Sequence, residues 1–150
     1  MSNQRLPDIQ QPISPDLENA LRSRIDIIPC MQNLGMKLEA MGLGECVLSM
    51  KHNPKTDGIF EAFHGGMLTT AADTVACFAI MTLFGPHQML TTTDLNIRFF
   101  SACLSDVMAH ARVIKRGKTL CVVAVDLFDE SNKLVAVAQV TYMLLDQLRR

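Results

Sequence analysis

The sequence predicts an α+β fold, because one long apolar segment is followed by a run of extended segments. The apolar segment covers residues 67–83, follows His64-Gly65-Gly66, and carries a single charged residue, Asp73. Apolar residues occur nearly all round this segment, which predicts a helix covered on most sides and ending near Phe84. A curved antiparallel sheet wrapped around that helix provides the cover.

The region after the helix has the patterns of β-strands. Leu95, Ile97 and Phe99 alternate with polar neighbours, which indicates a strand with one buried face. The last two segments are long, rich in β-branched residues, and joined by a polar turn at 129–133. The four predicted strands span residues 90–100, 107–115, 119–128 and 134–145.

The region before the helix contains a further helix and a hairpin. Pro15 followed by two acids predicts a helix start, and that helix is expected to end near Ile28. Residues 36–41 and 45–52 then predict a hairpin. Residues 1–14 are interpreted as a flexible lead-in and residues 15–150 as one domain, a length sufficient for a full core.

The composition excludes several classes of function. Fourteen basic and fifteen acidic residues give a net charge of −1, so no field of one sign attracts nucleic acid. Five cysteines without a C-x-x-C pair favour a reducing, cytoplasmic location. Histidines and cysteines share no ligand spacing, so no metal site is expected. Asp73 interrupts an apolar segment that is short for a membrane span, so no membrane association is expected.

The start of the long helix has the features of a site for an activated acyl group. Glycine allows close approach of the backbone, and a helix N-terminus directs free N–H groups and a positive dipole at a ligand. Asp73 supplies the nearest carboxylate, whose burial without a function is costly. His64 is interpreted as a cap of the turn. Cys77 lacks a nameable base partner and is interpreted as a core residue.

Three motifs together resemble the hotdog-fold acyl-CoA thioesterases of the phenylacetate-pathway (PaaI) type. They are His64-Gly65-Gly66 with Asp73, the strand Thr92–Phe99, and the turn Lys115–Leu120. The resemblance covers about residues 34–145. It implies the hotdog fold, a curved antiparallel sheet around one central helix, and an obligate homodimer or a homotetramer.

The resemblance also implies roles for individual residues. The family's asparagine six residues before the histidine is replaced here by Gly58, in a loop lengthened by about five residues, and Asn53 is expected to take its role. Thr91 or Thr93 replaces Thr92 if the strand register differs by one residue. The implied catalytic group is Asp73, Gly65, Gly66, His64, Thr92 and Asn53. The implied coenzyme A contacts are Arg98, Arg116, Gly117, Lys118 and Thr119.

The spacing of the two main motifs predicts a site shared by two chains. His64 and Asp73 lie about 13 Å apart along one helix, too far to act on one acyl carbon. A two-fold axis would place the turn of one chain beside Asp73 of the other. The expected reaction is hydrolysis of a medium-chain or aromatic acyl-CoA without a cofactor. The alternatives are a hotdog acyl-thioester hydratase or dehydratase, and a non-catalytic acyl-CoA binding module.

Overall fold

The computed structural model describes residues 7–146. The first six residues of the predicted lead-in and the last four of the predicted domain therefore lie outside the described residues. The helices are α1 (Pro15–Ile25), α2 (Pro29–Asn33) and α3 (Gly65–Phe84), with a 3-10 helix at Pro54–Thr56. The strands are β1 (Met36–Gly42), β2 (Glu45–Met50), β3 (Met89–Phe99), β4 (Val107–Arg116), β5 (Leu120–Asp129) and β6 (Leu134–Leu145).

Helix α3 is the centre of the molecule. Its 20 residues extend about 30 Å, and the helix ends at Gly85, whose φ of 91° is favourable for glycine. Although α3 is long and apolar enough to cross a membrane, 56 % of its most apolar window is buried within the fold. Ala72, Ala76 and Ala79 have no exposed surface, so the sheet approaches the helix closely.

The six strands form one antiparallel sheet in the order β1-β2-β4-β5-β6-β3. Helix α3 packs against its inner face, where β4, β2 and β5 make the most extensive contacts. The predicted hotdog architecture is therefore confirmed. Strand β3 lies at one edge of the sheet and most of its residues are exposed, a condition that proteins usually avoid for an unpaired strand.

Two predicted boundaries differ from the structure for local reasons. Helix α1 ends at Ile25 instead of near Ile28, and the Asp26 N–H donates to the Arg22 carbonyl as the last helical bond. Pro29 disfavours a helical conformation at the residue before it and starts α2 instead. Strand β2 ends at Met50 instead of His52, because the His52 N–H donates to Asp106 Oδ1 at 2.8 Å.

Residues 7–14 have no regular structure before α1, but the fold holds them in place. The Gln10 N–H donates to Glu45 Oε2 at 2.9 Å, and the Leu43 N–H donates to the Gln11 carbonyl at 2.8 Å. Glu45 is almost fully buried and its other oxygen lies 2.7 Å from His110 Nε2. This part of the predicted lead-in is therefore attached to the β1–β2 end of the sheet.

Candidate active site

The His64-Gly65-Gly66 turn forms the N-terminus of α3. His64 is the N-cap, and its Nδ1 accepts a hydrogen bond from the Gly66 N–H at 2.9 Å. Because Nδ1 accepts, the neutral ring carries its proton on Nε2. The Gly65 N–H has no hydrogen-bond acceptor within residues 7–146. The turn therefore presents one free backbone donor, while the second predicted donor, Gly66, is bonded to the histidine.

The two glycines occupy positions where an added side chain would crowd a neighbouring side chain. A Cβ at Gly65 would lie 3.2 Å from the Phe99 ring, and a Cβ at Gly66 would lie 2.9 Å from His64 Nδ1. Phe99, the last residue of β3, thus lies over the helix start with 48 % of its surface exposed. Gly65 is half-buried, and this aromatic ring borders it on one side.

The lengthened loop before the turn is a closed structure. Its residues 58–62 are held by the Gly58 N–H, which donates to the Ala62 carbonyl at 2.8 Å, and by a β-bridge between Asp57 and Phe63. A Cβ at Gly58 would lie 3.9 Å from the His64 Cα. The residue next to His64 is therefore Gly58, which has no amide side chain.

Asn53 has a local structural contact. Its side-chain oxygen accepts the Lys55 N–H at 3.0 Å, which caps the 3-10 helix Pro54–Thr56. The structure thus gives Asn53 a capping contact within the loop and records no contact between it and the His64 turn. The predicted transfer of the family's asparagine role to Asn53 has no support from these contacts.

Asp73 is held by two hydroxyl groups from the sheet. Thr92 Oγ1 donates to Asp73 Oδ1 at 2.8 Å, and the Tyr142 hydroxyl lies 2.9 Å from the same oxygen and 2.8 Å from the Asp73 carbonyl. Within the described part of the chain, Oδ2 has no hydrogen-bond partner. The carboxylate is therefore fixed through one oxygen and available through the other.

Tyr142 was missing from the sequence-based site. It is the single tyrosine of the chain and lies on the inner face of β6. Burial raises the pKa of its phenol above the usual value, and the nearby Cys77 and Asp73 act in the same direction. The hydroxyl therefore stays protonated and remains a donor to Asp73.

Cys77 follows Asp73 by one helical turn. Burial raises the pKa of the Cys77 thiol to about 11, and the Asp73 charge adds to this effect, while the Tyr142 hydroxyl opposes it. A thiol with such a pKa is a poor nucleophile at neutral pH. The structure therefore agrees with the prediction that Cys77 is not a nucleophile, and the partly buried residue packs against the core.

The predicted coenzyme A turn lies beyond the other end of α3. The Arg116 guanidinium lies 4.6 Å from the centre of the Phe84 ring, a cation–π arrangement. The Gly117 N–H donates to the Leu120 carbonyl at 3.0 Å, so this backbone donor closes the turn. Lys118 and Thr119 are exposed at its tip, so the ammonium and hydroxyl groups of their side chains are accessible.

Asp73, Thr92 and Tyr142 form one cluster, the Asp73 group. Within one chain, Arg98 does not lie near this group. It alternates along β3 with Ile97 and Phe99, which face the helix side, so its side chain lies on the outer face of the sheet. Its Nη1 donates to Asn96 Oδ1 at 2.7 Å.

As for metals, residues 7–146 contain no group of three His, Cys, Asp or Glu side chains that could hold one ion.

Known proteins share this sequence pattern and fold. The model of the thioesterase superfamily matches residues 60–136. Acyl-coenzyme A thioesterase 13 of Homo sapiens is 30% identical over 97 residues, which cover 62% of this chain and 68% of that protein. A putative esterase of Saccharolobus solfataricus is 29% identical over 112 residues, 74% of each chain.

Solved structures agree on the architecture. The E. coli PaaI protein from the phenylacetic acid degradation operon superposes with a TM-score of 0.79 at 20% identity, covering 87% of this chain and 94% of that one. A thioesterase from Haemophilus influenzae gives a TM-score of 0.80 at 23% identity, with coverages of 95% and 99%.

The family match, the human relative and the sheet around one central helix together define the class of protein, a thioester hydrolase with the hotdog fold. The match over residues 60–136 covers half of the chain and includes the turn, Asp73 and Thr92. The chain belongs to the thioesterase superfamily.

Proposed function

We propose that this protein hydrolyses an acyl-CoA to the free acid and coenzyme A, with Asp73 as the nucleophile or general base. The observation that carries this proposal is the way Asp73 is held. Two hydroxyl donors occupy Oδ1 and orient the carboxylate, while Oδ2 has no partner among the described residues. An oriented carboxylate with one available oxygen suits both attack on a carbonyl and proton abstraction from water.

The opposite half of the site would polarise the thioester. The free Gly65 N–H lies at the positive end of α3, where negative charge on the carbonyl oxygen is stabilised. One such donor is typically worth about 3 kcal/mol in the transition state. His64 Nε2–H is a second donor on the same turn, because Nδ1 is engaged with Gly66.

Two chains are needed to bring these halves together. Gly65 and Asp73 lie about 12 Å apart along one helix. In the same chain Thr92 lies beside Asp73, and Phe99 lies beside Gly65. A two-fold axis that exchanges Gly65 with Asp73 therefore also exchanges the two ends of β3. Antiparallel pairing of β3 with its copy would satisfy this exposed edge strand and build two equal sites.

The reaction then follows from the residues present. The thioester carbonyl accepts the Gly65 N–H of one chain, and Asp73 Oδ2 of the other attacks the carbon or takes a proton from an attacking water. Direct attack releases the coenzyme A thiolate, which takes up a proton, and leaves an acyl–aspartyl anhydride that water hydrolyses. The water route gives the acid and the thiol in one addition. The acyl group is proposed to be medium-chain or aromatic.

Coenzyme A would extend toward the turn at residues 115–119. Lys118 and the Thr119 hydroxyl supply a charge and a donor for a phosphate. Their turn is attached to the Asp73 group through β6, since the Leu144 N–H donates to the Thr119 carbonyl at 2.8 Å. The proposed phosphate contacts would therefore belong to the same chain as the reacting carboxylate.

The geometry favours hydrolysis over hydration of an enoyl thioester. Hydration needs a histidine free to act as a base at the substrate carbon. The Nδ1 of His64 already accepts the Gly66 N–H, and Nε2 carries the ring proton. The imidazole of this turn therefore acts as a donor and a cap.

The test is thiol release from a panel of acyl-CoA thioesters, with the wild type beside Asp73→Asn. We expect the substitution to lower kcat by about 10²–10⁴-fold, the usual range for loss of a general base. The matched control is Asp146→Asn, an exposed carboxylate after β6. Wild-type turnover by Asp73→Asn, in a protein that remains folded, would contradict the assignment.

A further inference from the structure

A cavity lies beneath the connection between α1 and α2. Its volume is about 530 Å³, within the usual range of sites for small molecules. Its walls are mainly apolar and come from the α1–α2 connection, the second half of α3 and the start of β3. The lining residues used in the argument are Ile28, Cys77, Met81 and Leu90.

The cavity is adjacent to the Asp73 group on two elements. Cys77 follows Asp73 by four residues and therefore lies on the same face of α3, one turn further on. Leu90 precedes Thr92 by two residues and lies on the same face of β3. Both residues line the cavity, so the space lies one helical turn beyond Asp73 and continues toward the C-terminal end of α3.

We propose that this cavity holds the tail of the acyl group and that Met81 and the α1–α2 connection limit its length. This inference rests on the proposed thioesterase function. A hydrocarbon chain matches the apolar walls. Two of the lining residues, Arg24 and Gln88, are charged or polar. Gln88 donates its amide protons to the Met89 and Leu145 carbonyls, both at 2.9 Å, so those donors are not available to a polar ligand.

Helix α3 provides a scale for chain length. Cys77 lies about 6 Å and Met81 about 12 Å from Asp73 along the helix axis. Filling the cavity at Cys77 should therefore exclude shorter acyl chains than filling it at Met81. The two substitutions should therefore exclude acyl chains of different lengths. A general loss of stability would lower activity for all chain lengths alike.

The experiment measures kcat/KM for butyryl-, hexanoyl- and lauroyl-CoA in the full-length protein. For Met81→Trp we expect at least a tenfold loss for lauroyl-CoA relative to butyryl-CoA. For Cys77→Phe we expect the relative loss to begin at hexanoyl-CoA. Ile28→Trp repeats the Met81 test from the opposite wall if Met81→Trp does not fold. The control Leu43→Trp, in the half-exposed β1–β2 turn away from the cavity lining, should leave the chain-length profile unchanged.

A binding measurement distinguishes the proposed cavity for the acyl group from the proposed thioesterase function. Calorimetric titration with the thioether S-dodecyl-CoA, which cannot be hydrolysed, should show at least tenfold weaker binding to Met81→Trp than to the wild type. Absence of hydrolysis by the wild type would overturn the proposed function, while this affinity difference would still support the cavity. Hydrolysis with unchanged profiles in the folded Cys77 and Met81 variants would overturn the cavity inference alone.

Discussion

The two halves of the site are built in opposite ways. The helix-start half consists of backbone, because side chains at Gly65 and Gly66 would crowd Phe99 and His64 and one N–H remains free. The Asp73 half consists of side chains, because Thr92 and Tyr142 hold the carboxylate from two strands. One half thus depends on leaving space, and the other depends on hydrogen bonds between distant parts of the chain.

This difference explains how each half responds to substitution. Adding atoms should damage the helix-start half, whereas removing single atoms should damage the Asp73 half. A methyl group added at Gly65 would lie 3.2 Å from the Phe99 ring, so the ring would have to move, but the backbone donor is independent of side-chain chemistry. Loss of one hydroxyl from the Asp73 half should remove only part of the orientation of the carboxylate, because the other hydroxyl remains.

The largest of these effects is expected for Gly65→Val. Its branched side chain would collide with Phe99 and displace the free N–H, so kcat/KM should fall by about a hundredfold. Steady-state kinetics measure this effect. The matched control is Gly58→Ala, where a Cβ makes ordinary contacts near His64 and activity should change little. Equal activity of both variants would contradict the steric argument.

A smaller effect is expected for Tyr142→Phe. Removal of the hydroxyl leaves Asp73 oriented by Thr92 alone, so kcat should fall by about tenfold with little change in KM. The lost hydrogen bond should also lower the free energy of unfolding by about 1 kcal/mol. Kinetics and urea denaturation measure these two changes. Thr91→Val, on the opposite face of β3, is the control. A raised KM with unchanged kcat would assign Tyr142 to binding instead.

A smaller effect on kinetics is expected at the turn of residues 115–119, which is proposed to contact a phosphate of coenzyme A. Lys118→Ala should raise KM for acyl-CoA severalfold, and more at low ionic strength, because an exposed charge is screened by salt. Thioesters that lack the nucleotide should be hydrolysed at the wild-type rate. Lys133→Ala, in the exposed β5–β6 hairpin, is the control. An equal loss with the short thioesters would contradict a phosphate contact.

The last prediction concerns the chemical reactivity of Cys77, which lies beside the Asp73 half, and not the rate of turnover. With a pKa of about 11, about 0.1 % of this thiol is ionised at pH 8. Alkylation followed by mass spectrometry should modify Cys77 far more slowly than the exposed Cys30. The Cys77 rate should rise about tenfold per pH unit below pH 10. Equal rates of the two thiols at pH 8 would contradict the raised pKa.

The sequence predicted features that are local in the chain. Central helix α3 follows from composition, the glycine turn from two adjacent residues, and Asp73 from being the one charge in an apolar segment. Tyr142 was missed because it lies 69 residues from Asp73, and no periodic pattern connects them. Long-range contacts of this kind depend on the sheet order, which alternation does not determine.

Strand β3 shows a second reason why the sequence pattern alone did not predict the whole site. The alternation of Leu95, Ile97 and Phe99, extended backwards, would place Thr93 on the helix side of the sheet. A β-bulge between Thr92 and Asp94 reverses the alternation, so Thr92 contacts Asp73. The family motif selected Thr92, whereas periodicity alone would have selected its neighbour. The sequence likewise showed that Gly58, beside His64, replaces the family's asparagine. It did not show that the loop of residues 58–62 is closed.

The claim that the two halves come from different chains is tested most directly by mixing two inactive variants. Asp73→Asn and Gly65→Val are coexpressed with different tags, and the unfractionated mixture and the doubly tagged dimers are assayed. Random pairing makes about half of the dimers mixed, and each mixed dimer has one intact site, so the mixture should recover about a quarter of wild-type activity. Recovery would establish the shared site. Activity no higher than that of the two parents, in mixed dimers that form normally, would contradict it.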